Sequence, residues 1–179
     1  GNIYNNKLKK ISLEEIYNLY IKYGERTYNY IDGVFSLVIK DNRINKLFVF
    51  QDPFGCNQSV YFHKNGKILF ISSQLKKIIL QDRNEKWEFN TKAIKIFLKK
   101  GYIPNKETLV KGINKVPSKK YLEVNIKTGK ANLKRYRYKN IELKDKVTKE
   151  LYNKVFEKVC TSSVNNDIAI TLSSGYDTN

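Results

Sequence analysis

Methionine is absent from all 179 residues, so Gly1 is not an untouched translation start. The chain is expected to begin inside a reading frame or after processing. No apolar stretch approaches the ~18–20 residues of a membrane span, and no basic segment precedes an apolar one near the start. Neither a membrane helix nor a secretory leader is therefore read. Histidine occurs once, at His63, beside Lys64 at an expected hairpin end, where it reads as an exposed side chain with no positioned acid or nucleophile nearby in sequence. The two cysteines, Cys56 and Cys160, stand far apart and lack partners at metal-ligand spacing. Core packing is their expected role, and a reducing, cytoplasmic compartment is expected.

What is present is apolar and basic. A hydrophobic fraction of 41% with 13% aromatics suffices for a buried core and argues against disorder. The formal charge of +17 raises a nucleic-acid reading. However, lysine far outnumbers arginine, and the basic residues are scattered in pairs such as Lys9-Lys10, Lys76-Lys77, Lys99-Lys100 and Lys119-Lys120, which favours a whole-chain compositional habit. Only Lys134-Arg135-Tyr136-Arg137-Tyr138-Lys139 interleaves bases with aromatics as a nucleic-acid groove does. The same stretch alternates like a half-exposed strand with Tyr136 and Tyr138 on one face.

Periodicity divides the chain. Ser12-Leu13-Glu14-Glu15 forms a capping-box pattern, Ile16, Leu19, Tyr20 and Tyr23 recur at helical spacing, and Gly24 supplies a stop. Hairpins are predicted from Gly33–Lys40 with Leu47–Phe50, from Ser59–Phe62 with Lys67–Ile71 around Asn65-Gly66, and from Tyr121–Ile126 with Ala131–Tyr138 around Thr128-Gly129. Phe35–Ile39 reads as buried on both faces, as in a layered sandwich of sheets covered by helices. Asp52-Pro53-Phe54-Gly55 reads as a turn, and Trp87 as a packing anchor. Short helices are expected over Ser73–Leu80 and from Asn90-Thr91 to Gly101, the latter with Ala93, Ile94, Phe97 and Leu98 inward. From about Leu143 the pattern becomes a helical stripe of Val147, Leu151, Val155 and Val159. That change of architecture puts a domain boundary near Asn140.

The strand Ile168–Leu172 then leads into Ser173-Ser174-Gly175-Tyr176-Asp177-Thr178-Asn179. An apolar strand entering a Ser/Gly-rich turn is a common phosphate cradle, because unpaired backbone N–H groups point outward and small side chains admit anionic oxygens. The helix that would complete it is expected beyond Asn179. Taken alone, the segment also reads as a frayed terminus.

In order, these segments resemble the glutamine-dependent asparagine synthetase family, which includes the β-lactam synthetases. Ile31–Ile39 is similar to its L-x-G-x-F-A-F-A-I strand, Gln51-Asp52-Pro53-Phe54-Gly55 to R-D-x-F-G, and Leu69–Lys76 to L-x-F-A-S-E-x-K. Tyr102-Ile103-Pro104, Thr108-Leu109, Lys111–Pro117 and Tyr121-Leu122 follow G-Y-V-P…T-L-F-x-G-I-x-K-L-P-x-G-x-Y-L. Gly1–Asn5 is similar to G-E-I-Y-N, and Leu172–Thr178 to the pyrophosphate loop L-S-G-G-x-D-S. Each block is weak alone, but they are collinear over nearly the whole chain.

The resemblance implies an α+β fold: a glutaminase-type α/β/β/α sandwich of the N-terminal-nucleophile hydrolase kind over residues 1–139, then the start of an ATP-dependent α/β synthetase domain over 140–179, cut at its pyrophosphate loop. It implies ATP and Mg2+ as cofactors. The substrates would be glutamine or ammonia, aspartate or another carboxylate, and ATP. A carboxylate is a poor electrophile until its oxygen carries a good leaving group, so the family forms an acyl-adenylate and ammonia displaces AMP. Ser173, Ser174, Gly175 and Thr178 would line the phosphates, Leu172 would lie near the base or ribose, and Asp177 would help hold magnesium–pyrophosphate. Ser174 replaces a family glycine and Thr178 a serine. On the glutaminase side, Gly1 aligns with a glutamine-site glycine, and the family's nucleophilic cysteine and carboxylate-binding arginine would precede it. Asn2 stands for a glutamine-contacting glutamate and Leu13 for the aspartate that holds the substrate's amino group, which predicts weak glutamine binding. A homodimer is compatible with the resemblance, and neither a membrane nor a specific nucleic acid is an expected partner. Two rival readings stay open: a non-catalytic scaffold of the same fold, and a basic nucleic-acid-binding module, which predicts steeply salt-sensitive retention.

Overall fold

The middle of the chain is organised by period-two alternation, which lets each strand serve two apolar layers at once. The computed structural model describes residues 2–5, 9–57, 59–66, 68–137 and 147–163. It is a mixed α/β structure with antiparallel sheets. Strands β1 (Asn2–Asn5) and β2 (Ile31–Val34) form a two-stranded ribbon. Strands β3 (Ser36–Asp41), β4 (Lys46–Gln51), β8 (Lys120–Asn125) and β9 (Ala131–Arg135) form a sheet in the order β3-β4-β8-β9. Strands β5 (Tyr61–Asn65), β6 (Ile68–Ser72) and β7 (Asn114–Lys115) form another in the order β6-β5-β7.

Three apolar clusters follow from the alternation. On β4, Phe48 and Phe50 join Tyr121 of β8 and Ile16 and Tyr20 of helix α1 (Leu13–Tyr23). Their neighbours Val49, Leu122 and Val124 point the other way, against Phe62, Leu69 and Ile71 of the second sheet. The far face of that sheet offers Tyr61 and Phe70 to Leu75, Ile78 and Ile79 of helix α2 (Leu75–Gln81), with Trp87 packed alongside, as expected of an anchor. Burying a phenylalanine such as Phe48 or Phe50, 1% and 0% exposed, stabilises by about 1.5–3 kcal/mol.

The elements start and stop for local reasons. Ser12 Oγ accepts from the Glu15 N–H at 3.2 Å while Glu15 Oε2 accepts from the Ser12 N–H at 2.8 Å, the reciprocal cap the sequence predicts for α1. Gly24 ends that helix at φ +57, outside the reach of most L-residues. The β3–β4 turn is tied by Asp41, whose carboxylate accepts from Arg43 Nε at 3.0 Å, Arg43 Nη2 at 2.7 Å and the Tyr20 hydroxyl at 3.0 Å. Tyr136, just past β9, reaches two strands across: its hydroxyl donates to the Gln51 carbonyl at 2.7 Å and accepts from the Gln51 N–H at 3.0 Å.

Several expectations are corrected. The strand predicted over Gly33–Lys40 is split at Phe35, because residues before it pair with β1 while those after it pair with β4. The segment Phe35–Ile39 is not buried on both faces: β3 is an edge strand, and Val38 is 55% exposed. Helix α3 (Thr91–Lys100) has the predicted Asn90 cap, yet only Ala93 of its apolar residues is buried, with Phe97 and Leu98 exposed. It is held near its start, where the Asn90 N–H donates to the Leu109 carbonyl at 2.8 Å. Helix α4 (Lys149–Ser163) matches the helical period read from Leu143, with Val155 and Val159 exposed among the described residues. The predicted strand Ile168–Leu172 and the boundary at Asn140 lie outside the described residues. No described helix is long and apolar enough to cross a membrane.

Candidate functional site

The two glutamine-contact positions implied by resemblance sit eleven residues apart in sequence, Asn2 on β1 and Leu13 at the start of α1. Tyr4 bridges Lys10 in antiparallel sense, and the Ile11 N–H donates to the Ile3 carbonyl at 3.0 Å. On its other edge β1 pairs with β2, where Gly33 faces Ile3 at φ +113 and lets the Asn2 carbonyl lie against its backbone. Leu13 is 76% exposed at the first turn of α1 and offers no charge. The nearest first-turn carboxylate with a fixed position, Glu15, is committed to its cap: hydrogen bonds from Ser12 hold its pKa below the ordinary range. Gly1 lies outside the described residues.

The Asp52 turn is built from within. The Asp52 carboxylate accepts from the Cys56 N–H at 2.9 Å and the Asn57 N–H at 3.0 Å, while Gln51 Nε2 donates to the carbonyls of Val116 and Pro117 at 3.0 and 3.1 Å. Asp52 is 1% exposed with both oxygens engaged, in keeping with the turn reading. Cys56, on that turn, is exposed, and so is Cys160. The expected core-packing role of both is corrected: a thiol on an exposed turn or an exposed helix face has no apolar shell to enter.

The basic–aromatic stretch forms one wall of an open cleft of about 970 Å³, also lined by Tyr23, Arg26 and Tyr30. Tyr23 and Tyr30 stack with ring centroids 3.8 Å apart. Within the stretch, Lys134 Nζ pairs with Glu123 at 2.9 Å and with Glu25 at 3.2 Å, and Tyr136 is tied to Gln51. Burial pushes the Glu123 pKa up, and hydrogen bonds from Lys134 and Lys46 outweigh it to leave the carboxyl lowered. Lys134 and Tyr136 therefore serve the fold, and Arg135 and Arg137 face the cleft. Tyr138 lies outside the described residues.

His63 is not the exposed hairpin-end residue read from sequence. It is 5% exposed within β5, its ring edge-on to Trp87 at a centroid distance of 4.8 Å. Its Nδ1 lies 2.9 Å from the Gly112 carbonyl, and its Nε2 lies 3.4 Å from Asp82 Oδ2 with no hydrogen-bond partner. Glu85 closes the group: the ligand atoms of His63, Asp82 and Glu85 all fall within 4.8 Å of one another. Sequence reading missed this cluster, because no motif spacing links residues that only strand pairing and a helix end bring together.

The positions read as an ATP site, Leu172, Ser173, Ser174, Gly175, Asp177 and Thr178, lie outside the described residues. Comparison with known proteins bears on the rest. The sequence profile described as "Glutamine amidotransferase domain" matches residues 8–137. The chain is also similar to a Methanocaldococcus jannaschii protein named "Putative asparagine synthetase (glutamine-hydrolyzing) 2", at 25% identity over 126 residues. That match takes in 70% of this chain and 24% of the relative, so the chain spans about a quarter of that protein's length.

Proposed function

The chain belongs to the glutamine amidotransferase domain family, and from that premise we propose that it is the glutaminase-type part of an asparagine-synthetase-like, ATP-dependent amide-forming enzyme. The reading extends to the fold: an α/β/β/α sandwich of the N-terminal-nucleophile hydrolase type. Three clusters ordered as α1 with the four-stranded sheet, sheet with sheet, and the three-stranded sheet with α2 support that layering. From about residue 140 the chain would enter the synthetase domain, with Leu172–Thr178 its pyrophosphate loop. The donor chemistry of that loop, hydroxyls and small residues after an apolar run, suits Mg2+–pyrophosphate.

The observation that carries the proposal is the family match over residues 8–137, which takes in Leu13, exposed and uncharged at the first turn of α1. Asn2 on β1 and Leu13 at the start of α1 lack the carboxylates that would fix glutamine's ammonium. Glutamine is thus proposed to be a poor nitrogen donor and free ammonia the better one.

The test uses the full-length gene product with ATP, Mg2+ and aspartate, following AMP and pyrophosphate release. Ammonium is expected to support AMP formation, glutamine roughly tenfold less well, and Leu13→Asp to lower the KM for glutamine. Equal rates with the two nitrogen sources would overturn the weak-glutamine part. No AMP with ammonium and aspartate would overturn the asparagine-forming reading.

A further inference from the structure

Nothing in the proposed amide chemistry uses the buried group around His63. We propose that His63, Asp82 and Glu85 form a binding site for one divalent transition-metal ion of the Zn2+ class, which clamps β5 to the C-terminal end of α2. The His63 tautomer is set by its neighbour. A carbonyl oxygen only accepts, so the 2.9 Å contact of His63 Nδ1 with Gly112 O puts a proton on Nδ1. In the neutral ring the Nε2 lone pair then lies 3.4 Å from Asp82 Oδ2, itself an acceptor. Side chains 6% exposed give the pair almost no water to intervene. Two buried acceptors face to face repel unless a cation lies between them.

The spacing favours a metal ion over a proton. Imidazolium–carboxylate hydrogen bonds run about 2.7–2.9 Å, and here the separation is 3.4 Å, with no bond formed. Two ligand atoms each about 2.0–2.1 Å from a tetrahedral zinc stand roughly 3.4 Å apart. An ion therefore fits between Nε2 and Oδ2 with little movement of either. The surroundings are arranged as those of a metal-bound histidine are, with the distal N–H donating to a backbone carbonyl and so fixing ring orientation. Gly112, at φ +78, brings its carbonyl to the ring from a conformation few side chains tolerate. Asn65 Nδ2 donates to Asp82 Oδ2 at 3.0 Å and to Glu85 Oε2 at 3.3 Å, holding the two carboxylates side by side. Glu85 is half-buried, so it can close on an ion and leave a fourth position to water.

The only tryptophan of the chain reports on this site, because Trp87 packs against the His63 ring. The experiment dialyses the 179-residue chain against Zn2+, counts retained metal, and titrates Trp87 emission. One equivalent is expected, with an emission change that saturates at that ratio and a thermal midpoint that rises with Zn2+ concentration. Co2+ in its place should give the visible absorption of a tetrahedral site. Glu85→Gln, at the less buried ligand, is expected to fold and to weaken binding at least ~10-fold, and His63→Gln to abolish the Co2+ spectrum. A Cys56→Ser/Cys160→Ser double variant should bind as the parent does, since the exposed thiols take no part. Absence of retained metal would overturn the proposal. So would metal that is lost with the cysteines but kept by Glu85→Gln, or an emission change produced by acidification with no metal retained.

Discussion

Gly33 and Asp41 show how much one side chain decides here. A Cβ at position 33 would overlap the Asn2 carbonyl oxygen, at a φ of +113 that L-residues avoid. Gly33→Ala is therefore expected to separate β1 from β2 and to cost about 2 kcal/mol or more, read from the urea midpoint. Asp41 works through charge. Hydrogen bonds from Arg43 hold its carboxyl well below the usual range, with the Tyr20 hydroxyl adding to them. Its contribution is complete above the unfolded carboxylate value of about 3.9 and is lost as pH falls through the folded one. Asp41→Asn should lower the melting temperature at neutral pH and flatten its decline under acid. Burial, with the hydrogen bond to Asp41, pushes Tyr20 up to about 12. That group's stabilisation is present below the ordinary phenol value and fades as pH rises through 12.

The elements divide into those set by neighbours in sequence and those set by distant partners. The Ser12–Glu15 box, the Gly24 stop and the Asn65-Gly66 turn were legible because a few adjacent residues determine each one. Ser12→Ala should cost about 1 kcal/mol in thermal unfolding, the usual worth of such a cap. The break at Phe35 was not legible, since it depends on which strand each half meets. The orientation of α3 was hidden for a related reason: its helical period is sound, but little packs on its far side. His63 is the sharpest case. Its burial is imposed by a carbonyl 49 residues away and a carboxylate at the end of α2. The glutamine-contact positions fell between these extremes. Resemblance named Asn2 and Leu13, and the bridge from Tyr4 to Lys10 shows only that the segments leading to them run antiparallel.

At the scale of the molecule, stability rests on the layer shared by the two sheets. Leu122 and Val49 are both fully enclosed there. Leu122→Ala should cost about 2–5 kcal/mol, whereas Val38→Ala, on the open side of an edge strand, should stay within about 0.5 kcal/mol. Similar losses from the two would mean that the inter-sheet layer is not the principal core. Tyr136 has a different consequence. The backbone leaves β9 under a phenol knotted to the last residue of β4, while the Arg137 N–H is held at 3.2 Å by the Tyr28 hydroxyl. A pull on the polypeptide from beyond residue 137 would thus be borne by the centre of the sheet, not peeled off strand by strand at its rim.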